Sequence, residues 1–408
     1  MKDRAERVIA DCLRIAGMTE EPGRTTRRFL TAPMRDVHAL LRVRMKALGM
    51  TVHMDAAGNL RGRWQPEGGH GKRLVMGSHI DTVPDAGAFD GVLGVVMALA
   101  WVELAQEAGL KLPIEVIAFS EEEGVRFGVP FLGSRAVAGS FEPALLQIKD
   151  ASGETVEEAI RKFGLDPARL GEAALRDEAL GFVEIHIEQG PVLEGEDLHV
   201  AAVTAIVGQS RRTLEFTGQA NHAGTTPMHL RRDALAGAAE WIGSVEALAN
   251  RCDGLVATVG RVEVTPNAGN VVAGAARVSL DVRHGEDAVR LAALEELLWQ
   301  AQAVAGRRNL ALAVQRLMDE PAAPMDERLA GMLAESIVAA GFAGKRMPSG
   351  AGHDAMVMAA RMPAAMLFLR SPGGVSHHPS ESVRKEDVEA ALQVGREFLA
   401  RLDGQSRF

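Results

Sequence analysis

The side chains best suited to chemistry here are histidines and carboxylates placed at the ends of apolar runs. His79 and Asp81 close the stretch RLVMGSHID. Two residues apart in an extended segment, they point to the same side. That suits a carboxylate orienting a metal-bound imidazole. Asp90 follows in GAFDGVLG, where an Asp before Gly serves equally well as a turn or helix cap. Glu121, Glu122 and Glu123 end the apolar run IEVIAF in AFSEEEGVRF. Strand ends in α/β sheets open on the functional crevice. Beside a metal, adjacent carboxylates become tolerable, one as ligand and one as base; a bare EEE is otherwise a solvated loop. His186 falls on the polar side of the alternating VEIHIEQG, as a ligand or as a hydrogen-bonded strand histidine. His377 and His378 lie in GGVSHHPSE, a loop punctuated by Gly and Pro where functional residues gather. Each signal alone is weak. Together they supply the His and carboxylate set of a two-zinc or two-manganese hydrolase.

A second polar group comes later in the chain. His222 lies in GQANHAGTTPM, Asn270 in PNAGNVV, and Arg283 alternates outward in RVSLDVRH. An arginine facing a metal site is a fork for a substrate carboxylate, whereas a lone arginine on an edge strand is solvated.

These residues need elements to hold them. The N-terminal stretch reads as helical up to Gly49, with Met34, Val37, Leu41, Met45 and Leu48 at helical spacing. TVHMD, LRGRW and RLVMG read as strands, VLGVVMALAWVEL as a buried helix, and IEVIAF as a strand. Strands alternating with helices predict an α/β architecture around a largely buried sheet. After Gly208 the texture changes. RRTLEFTG, TVGRVEVT and ARVSLDVRH are strand-like, and helices are expected from about Arg231 to Leu248 and over DAVRLAALEELLWQAQAVA. The expectation is a discontinuous α/β domain, 1–209 and 326–408, carrying an inserted α+β domain, 210–325, with Met318–Glu327 as the return linker.

Composition narrows the function classes. Hydrophobic residues make up 47% of the 408 and charged ones 24%, with a net charge of −9. No basic cluster offers itself to phosphates, so nucleic acid is not an expected partner. The N-terminus lacks the apolar core of a signal peptide. No apolar run approaches the roughly 20 residues of a membrane span. Cys12 and Cys252 stand far apart, as in a reduced cytoplasmic protein. The absence of tyrosine has no physical account.

GSHIDTVPDAGAFDG, AFSEEEGVRF, HIEQGPVLE, NHAGTTPM, SGAGHDA and GGVSHHPSE resemble the successive motifs of the amidase branch of the zinc aminoacylase/carboxypeptidase family. That branch contains L-N-carbamoylases, β-ureidopropionases and allantoate amidohydrolases. The resemblance runs in order from about residue 25 to the C-terminus. It implies a zinc-exopeptidase-like mixed sheet flanked by helices, with the inserted domain as a lid and dimerisation module. Two divalent ions, Zn or Mn, would be held by His79, Glu122, His186 and His377, with Asp90 bridging. Glu121 would be the general base and Asp81 would stand behind the ligands, while His378 and Glu123 receive no role. His222, Asn270 and Arg283, together with Gln209, would bind substrate, reaching across a homodimer. The implied reaction is hydrolysis of a linear ureido acid, allantoate before an N-carbamoyl-L-amino acid or N-carbamoyl-β-alanine. A dipeptidase, an aminoacylase or a non-catalytic metal-binding dimer comes after these.

Overall fold

Buried Ala5, Val8, Cys12 and Ile15 recur at helical spacing and make one face of helix α1 (Lys2–Ala16) in this computed structural model, which describes residues 1–69 and 71–405. Helix α2 (Ala32–Ala47) opens with Pro33 in its first turn and buries Met34, Val37, Leu41 and Met45. Between them, residues 17–31 are irregular rather than helical. Gly17, Pro22 and Gly23 break the pattern, and a fully buried Arg27 holds the break. Its guanidinium donates to the carbonyls of Ile15, Met18 and Ile80 at 3.0, 2.9 and 2.5 Å. It thereby satisfies carbonyls that the end of α1 leaves open.

The chain continues through β1 (Thr51–Met54), β2 (Leu60–Trp64), β3 (Arg73–His79), α3 (Val92–Glu107) and β4 (Ile114–Phe119). Helices α4 (Leu132–Ala138) and α5 (Val156–Lys162) precede β5 (Ala179–Ile187), α6 (Val192–Gly195) and β6 (Val200–Ile206). By contacts, residues from Ala205 to Pro324 form a compact unit of their own. It comprises β7 (Gly208–Thr217), β8 (Asn221–His222), α7 (Ala234–Ala249), β9 (Val256–Thr258), β10 (Val262–Thr265) and β11 (Val271–Val272). It ends with β12 (Ala275–His284), α8 (Asp287–Arg307), β13 (Ala311–Glu320) and β14 (Ala323–Pro324). From Met325 the chain returns to the first unit with α9 (Glu327–Ala339), β15 (Arg346–Ser349), α10 (Asp354–Ala359), β16 (Ala364–Leu369) and α11 (Lys385–Gln405).

The large unit is built on a mixed sheet in the order β1-β2-β4-β3-β5-β16-β6. Strands β3, β4, β5 and β16 are mutually parallel, while β1, β2 and β6 pair antiparallel. β3, β4 and β16 are buried along their whole length, as a parallel sheet covered on both faces requires. Helix α3 is apolar all round, with Val92–Val102 buried throughout, so it is a core helix. Because the four central strands run the same way, their C-terminal ends lie along one edge of the sheet.

In the smaller unit an antiparallel sheet, β10-β12-β7-β13 with β9 on β12, packs against α7 and α8. Leu214, Phe216, Trp241, Val278, Leu280 and Leu297 form its core, and the Trp241 indole N–H donates to the Leu297 carbonyl at 2.8 Å. Two expectations change here. The inward face of α7 runs through Ala234, Ala238, Trp241, Val245 and Leu248, leaving Leu235 exposed. Met318–Glu327 does contain the return, at Pro324–Met325, but it is ordered: β13 extends through Glu320, β14 follows, and Asp326 caps α9 by accepting from Leu329 N–H at 2.9 Å.

Candidate functional site

Four residues from four segments meet at the C-terminal edge of the large sheet. His79 is the last residue of β3 and His186 the penultimate residue of β5; Asp90 precedes α3, and His377 lies in the loop after β16. Asp90 stands between the imidazoles. Its Oδ1 is 3.2 Å from His186 Nε2 and 3.6 Å from His79 Nε2, and its Oδ2 is 3.1 Å from His377 Nε2. The rings of His79 and His186 stack with centroids 5.7 Å apart. Nδ1 of His79 lies 3.0 Å from the Asp81 carbonyl and Nδ1 of His186 lies 2.9 Å from the Ile187 carbonyl. Each Nδ1–H is thus occupied, which directs the Nε2 lone pairs inward. Gly91, with φ +67°, lets the chain pass so close that a Cβ would sit 2.5 Å from the His79 ring.

The glutamates divide differently from the sequence expectation. Asp81 accepts the Glu122 N–H on Oδ1 and the Glu123 N–H on Oδ2, both at 3.0 Å, and its Oδ1 lies 3.4 Å from His79 Nδ1. One buried carboxylate therefore fixes both the His79 imidazole and the backbone of two glutamates. Glu123 Oε1 is 3.6 Å from His377 Nε2. Glu123 joins Asp90 and His377 in one group whose ligand atoms fall within 4.8 Å, and His79 and Glu122 in another. Both Glu122 and Glu123 line a cavity of about 220 Å³ together with His79, Asp90, His186 and His377. Glu121 does not. Its carboxylate is fully buried away from the cavity, and neither oxygen has a hydrogen-bond partner. This corrects the placement of Glu121 at the site and of Glu123 outside it. The cause is the bend after β4. Asn59 accepts the Ser120 N–H at 3.0 Å and the Ser120 hydroxyl donates to Ala57 at 2.7 Å, and this turns Glu121 inward.

The electrostatics call for a cation. Burial raises Asp90, but hydrogen bonds from His186, His377 and His79 reverse this and hold it well below the usual carboxylate range. Burial and the neighbouring carboxylates push Glu123 up to about 7 and Glu122 well above its ordinary value, against the pull of His79. His377 rises to about 8, chiefly through its bond to Asp90. Carboxylates crowded in a buried pocket are stabilised by a divalent ion. Imidazole nitrogens and carboxylate oxygens in this ratio fit Zn or Mn.

Two cavity residues had no role in the sequence reading. Gln189, in HIEQG, adopts φ +59° and points Nε2 at Asp90 Oδ2, 3.0 Å away; its backbone N–H is fixed by Ser371 Oγ at 2.9 Å. His353, in SGAGHDA, packs edge-on to His186 with centroids 4.4 Å apart, and its Nε2 lies 2.9 Å from Ser349 Oγ. The signal for both was a polar residue beside glycine, Gln189 just past the buried β5 and His353 just before α10. His378 is exposed and bonds Ser380 Oγ at 2.7 Å, outside the cluster.

In the smaller unit, the β8–β11 pairing sets His222 opposite Val271, beside Asn270, whose carbonyl accepts the Ala223 N–H at 2.9 Å. His222 is exposed, and its Nδ1 accepts the Gly224 N–H at 3.0 Å. Gln209 and Arg283 are cross-strand partners on β7 and β12. Both bind Asp281: Gln209 Nε2 at 2.7 Å, and Arg283 through Nε at 2.9 Å and Nη2 at 3.2 Å. β12 is flanked on both sides, so Arg283 does not sit on the edge strand that the sequence allowed.

Residues 75–401 match the model of peptidase family M20/M25/M40. The chain is 37% identical to an N-carbamoyl-L-amino acid amidohydrolase of Geobacillus stearothermophilus, covering 95% of this chain and 96% of that one. It is 38% identical to a probable allantoate deiminase of Oryza sativa subsp. japonica, covering 92% and 84%. Among solved structures, an amidase of the hydantoinase/carbamoylase family from Burkholderia multivorans superposes with a TM-score of 0.90 at 31% identity, covering 97% of each chain.

Proposed function

This chain belongs to peptidase family M20/M25/M40, in its amidase branch, and from that premise we propose that it hydrolyses the ureido C–N bond of a linear carbamoyl-amino acid, allantoate first, releasing ammonia and carbon dioxide. The observation that carries the reading is Asp90 set between three imidazoles at the edge of the sheet, with two glutamates beside it.

His79, Asp90, Glu123, His186 and His377 would hold two divalent ions, zinc or manganese, the two oxygens of Asp90 facing different histidines. When bound, such ions acidify water and polarise a carbonyl. Glu122 is the group left to move protons. It takes one from the attacking water and returns it to the departing nitrogen. Its burial among carboxylates raises its affinity for that proton. Gln189 and His353 line the same cavity and orient the ureido group. Arg283 anchors a substrate carboxylate, His222 donates to the carbonyl oxygen as it gains charge, and Asn270 and Gln209 complete the substrate contacts. We extend the proposal to a homodimer through the inserted unit, supported by β13, an edge strand with exposed Val314 and Leu317.

An N-carbamoyl-L-amino acid is the runner-up, favoured by the near-complete mutual coverage with the carbamoyl-amino acid relative. A substrate panel decides: allantoate, N-carbamoyl-L-amino acids, N-carbamoyl-β-alanine and dipeptides, each with added zinc or manganese and with ammonia release measured. Turnover of ureido acids is expected. Cleavage of dipeptides alone would overturn the reading.

A further inference from the structure

The loop that carries Asp90 is held from behind by a carboxylate to which the reaction assigns nothing. Glu381 closes the SHHPSE segment and is 5% exposed. Its Oε1 accepts the backbone N–H of Phe89 at 2.9 Å and of Asp90 at 3.0 Å. Its Oε2 lies 3.1 Å from the Ser376 hydroxyl, which in turn lies 2.9 Å from Asp90 Oδ2. The N–H of Glu381 donates to the His378 carbonyl at 3.0 Å, closing the turn that follows His377. Gly87 makes the approach feasible, since a Cβ there would lie 2.3 Å from the Glu381 Cβ. Among the described residues, no backbone–backbone hydrogen bond joins 87–91 to 376–381. Side chains therefore carry the connection, and Glu381 is the one that holds the backbone at Phe89 and Asp90.

We infer that Glu381 is a positioning residue that sets Asp90 and His377 at ligand distance from each other, by tying the backbone of one loop to the hydroxyl of the other. The inference rests on the metal reading of Asp90 and His377. The geometry also explains why the acceptor is a carboxylate. Two N–H groups converge on Oε1 and the Ser376 hydroxyl faces Oε2; a carboxylate can accept from all three, whereas an amide keeps the two backbone contacts but can only donate to the Ser376 oxygen. His377 needs such a brace because it holds φ +55°, a conformation that survives only when its surroundings impose it.

The test is zinc affinity by competition with a chromophoric chelator, for the wild type and for Glu381→Ala, Glu381→Gln and Ser376→Ala. Thermal midpoints of the metal-free proteins, and kcat and KM at saturating zinc, are measured in parallel. Glu381→Ala is expected to weaken zinc binding about 10- to 100-fold, as loss of outer partners does at other metal sites. Its metal-free midpoint and its KM should stay near the wild-type values. Glu381→Gln should recover part of the affinity, and Ser376→Ala should lose less than Glu381→Ala. Should Glu381→Ala fail to fold, Ser376→Ala decides: weaker zinc binding at an unchanged metal-free midpoint supports the brace, and unchanged binding overturns it. Wild-type affinity in both alanine variants also overturns it while leaving the metal reading intact. A wild-type chain that binds no zinc or manganese overturns the metal reading and this inference together.

Discussion

At the level of single side chains, three consecutive glutamates have three different surroundings because the backbone bends between them. Glu121 turns into the interior with no hydrogen-bond partner, and burial, together with the charges of Asp81 and Glu123, raises it well above its ordinary value. That shift favours the protonated form, of which Gln is a near-isostere. Glu121→Gln is expected to keep kcat within a few-fold and stability within about 1 kcal/mol. Glu122→Gln should cost about 10²- to 10⁴-fold in kcat with zinc content unchanged, whereas Glu123→Gln should lose zinc itself. Metal analysis beside steady-state kinetics separates the three, and a dead Glu121→Gln beside an active Glu122→Gln would return the base to the first glutamate. Arg283→Ala should raise KM sharply for carboxylate substrates with little change in kcat; an unchanged KM would remove Arg283 from the site. His79 and His186 could be singled out because they stand on strands the pattern reveals, whereas Asp90 and His377 lie in loops and gained a role only through the motifs the chain shares with the family. The one-residue offset among the glutamates was not legible, because it depends on Asn59, in the turn before β2, catching Ser120. Gln189 and His353 were missed because their meaning lies in what faces them across the sheet edge.

The elements that position the site were legible where periodicity alone decides. Three buried strands and an all-round apolar α3 announce themselves as apolar runs of the right length. The helical reading of the N-terminal stretch failed over residues 17–31, where Gly17, Pro22 and Gly23 break the pattern and a buried arginine holds the break. Helix α2 holds a comparable hidden polar group. His38 is buried, neither ring nitrogen has a hydrogen-bond partner, and the ring packs edge-on to Phe163 at 5.9 Å. Burial first, then the charges of Arg42, Arg35 and Arg27, pull it down to about 4. The folded state thus resists a proton that the unfolded chain accepts near pH 6.5. Between those values the unfolded state binds more protons, so stability is full above about pH 6.5 and falls as pH drops toward 4. The loss approaches roughly 3 kcal/mol at the acid end. Because other groups also contribute to the pH dependence, the readout is the difference between wild type and His38→Phe in urea unfolding at pH 7 and pH 4.5. The variant should lose less stability on acidification, and parallel losses would show that His38 carries no proton linkage.

On the scale of the whole molecule, each compact unit has hydrophobic packing of its own among the described residues, and the clusters of the two units share no residue. The change of texture after Gly208 was readable because the strands that follow alternate for an antiparallel sheet rather than running apolar throughout. The return was readable to within a residue, since the smaller unit ends at Pro324 inside MDEPAAPMDE; what composition hid is that this stretch is ordered, its backbone continuing β13 and then pairing again in β14. Separate cores predict that unfolding is not two-state. Calorimetry should resolve two transitions, and the ligand set belongs wholly to the larger unit. Ions that bind only the folded state stabilise it by about 2.7 kcal/mol when present at a hundred times their dissociation constant. Stripping zinc with a chelator should therefore lower the transition of the larger unit by several degrees and leave the other in place. Adding zinc or manganese back should restore it, and magnesium, which favours all-oxygen sites, should not. A chelator shift confined to the smaller unit, or none in either, would mean that the buried carboxylates around Asp90 are held together without an ion.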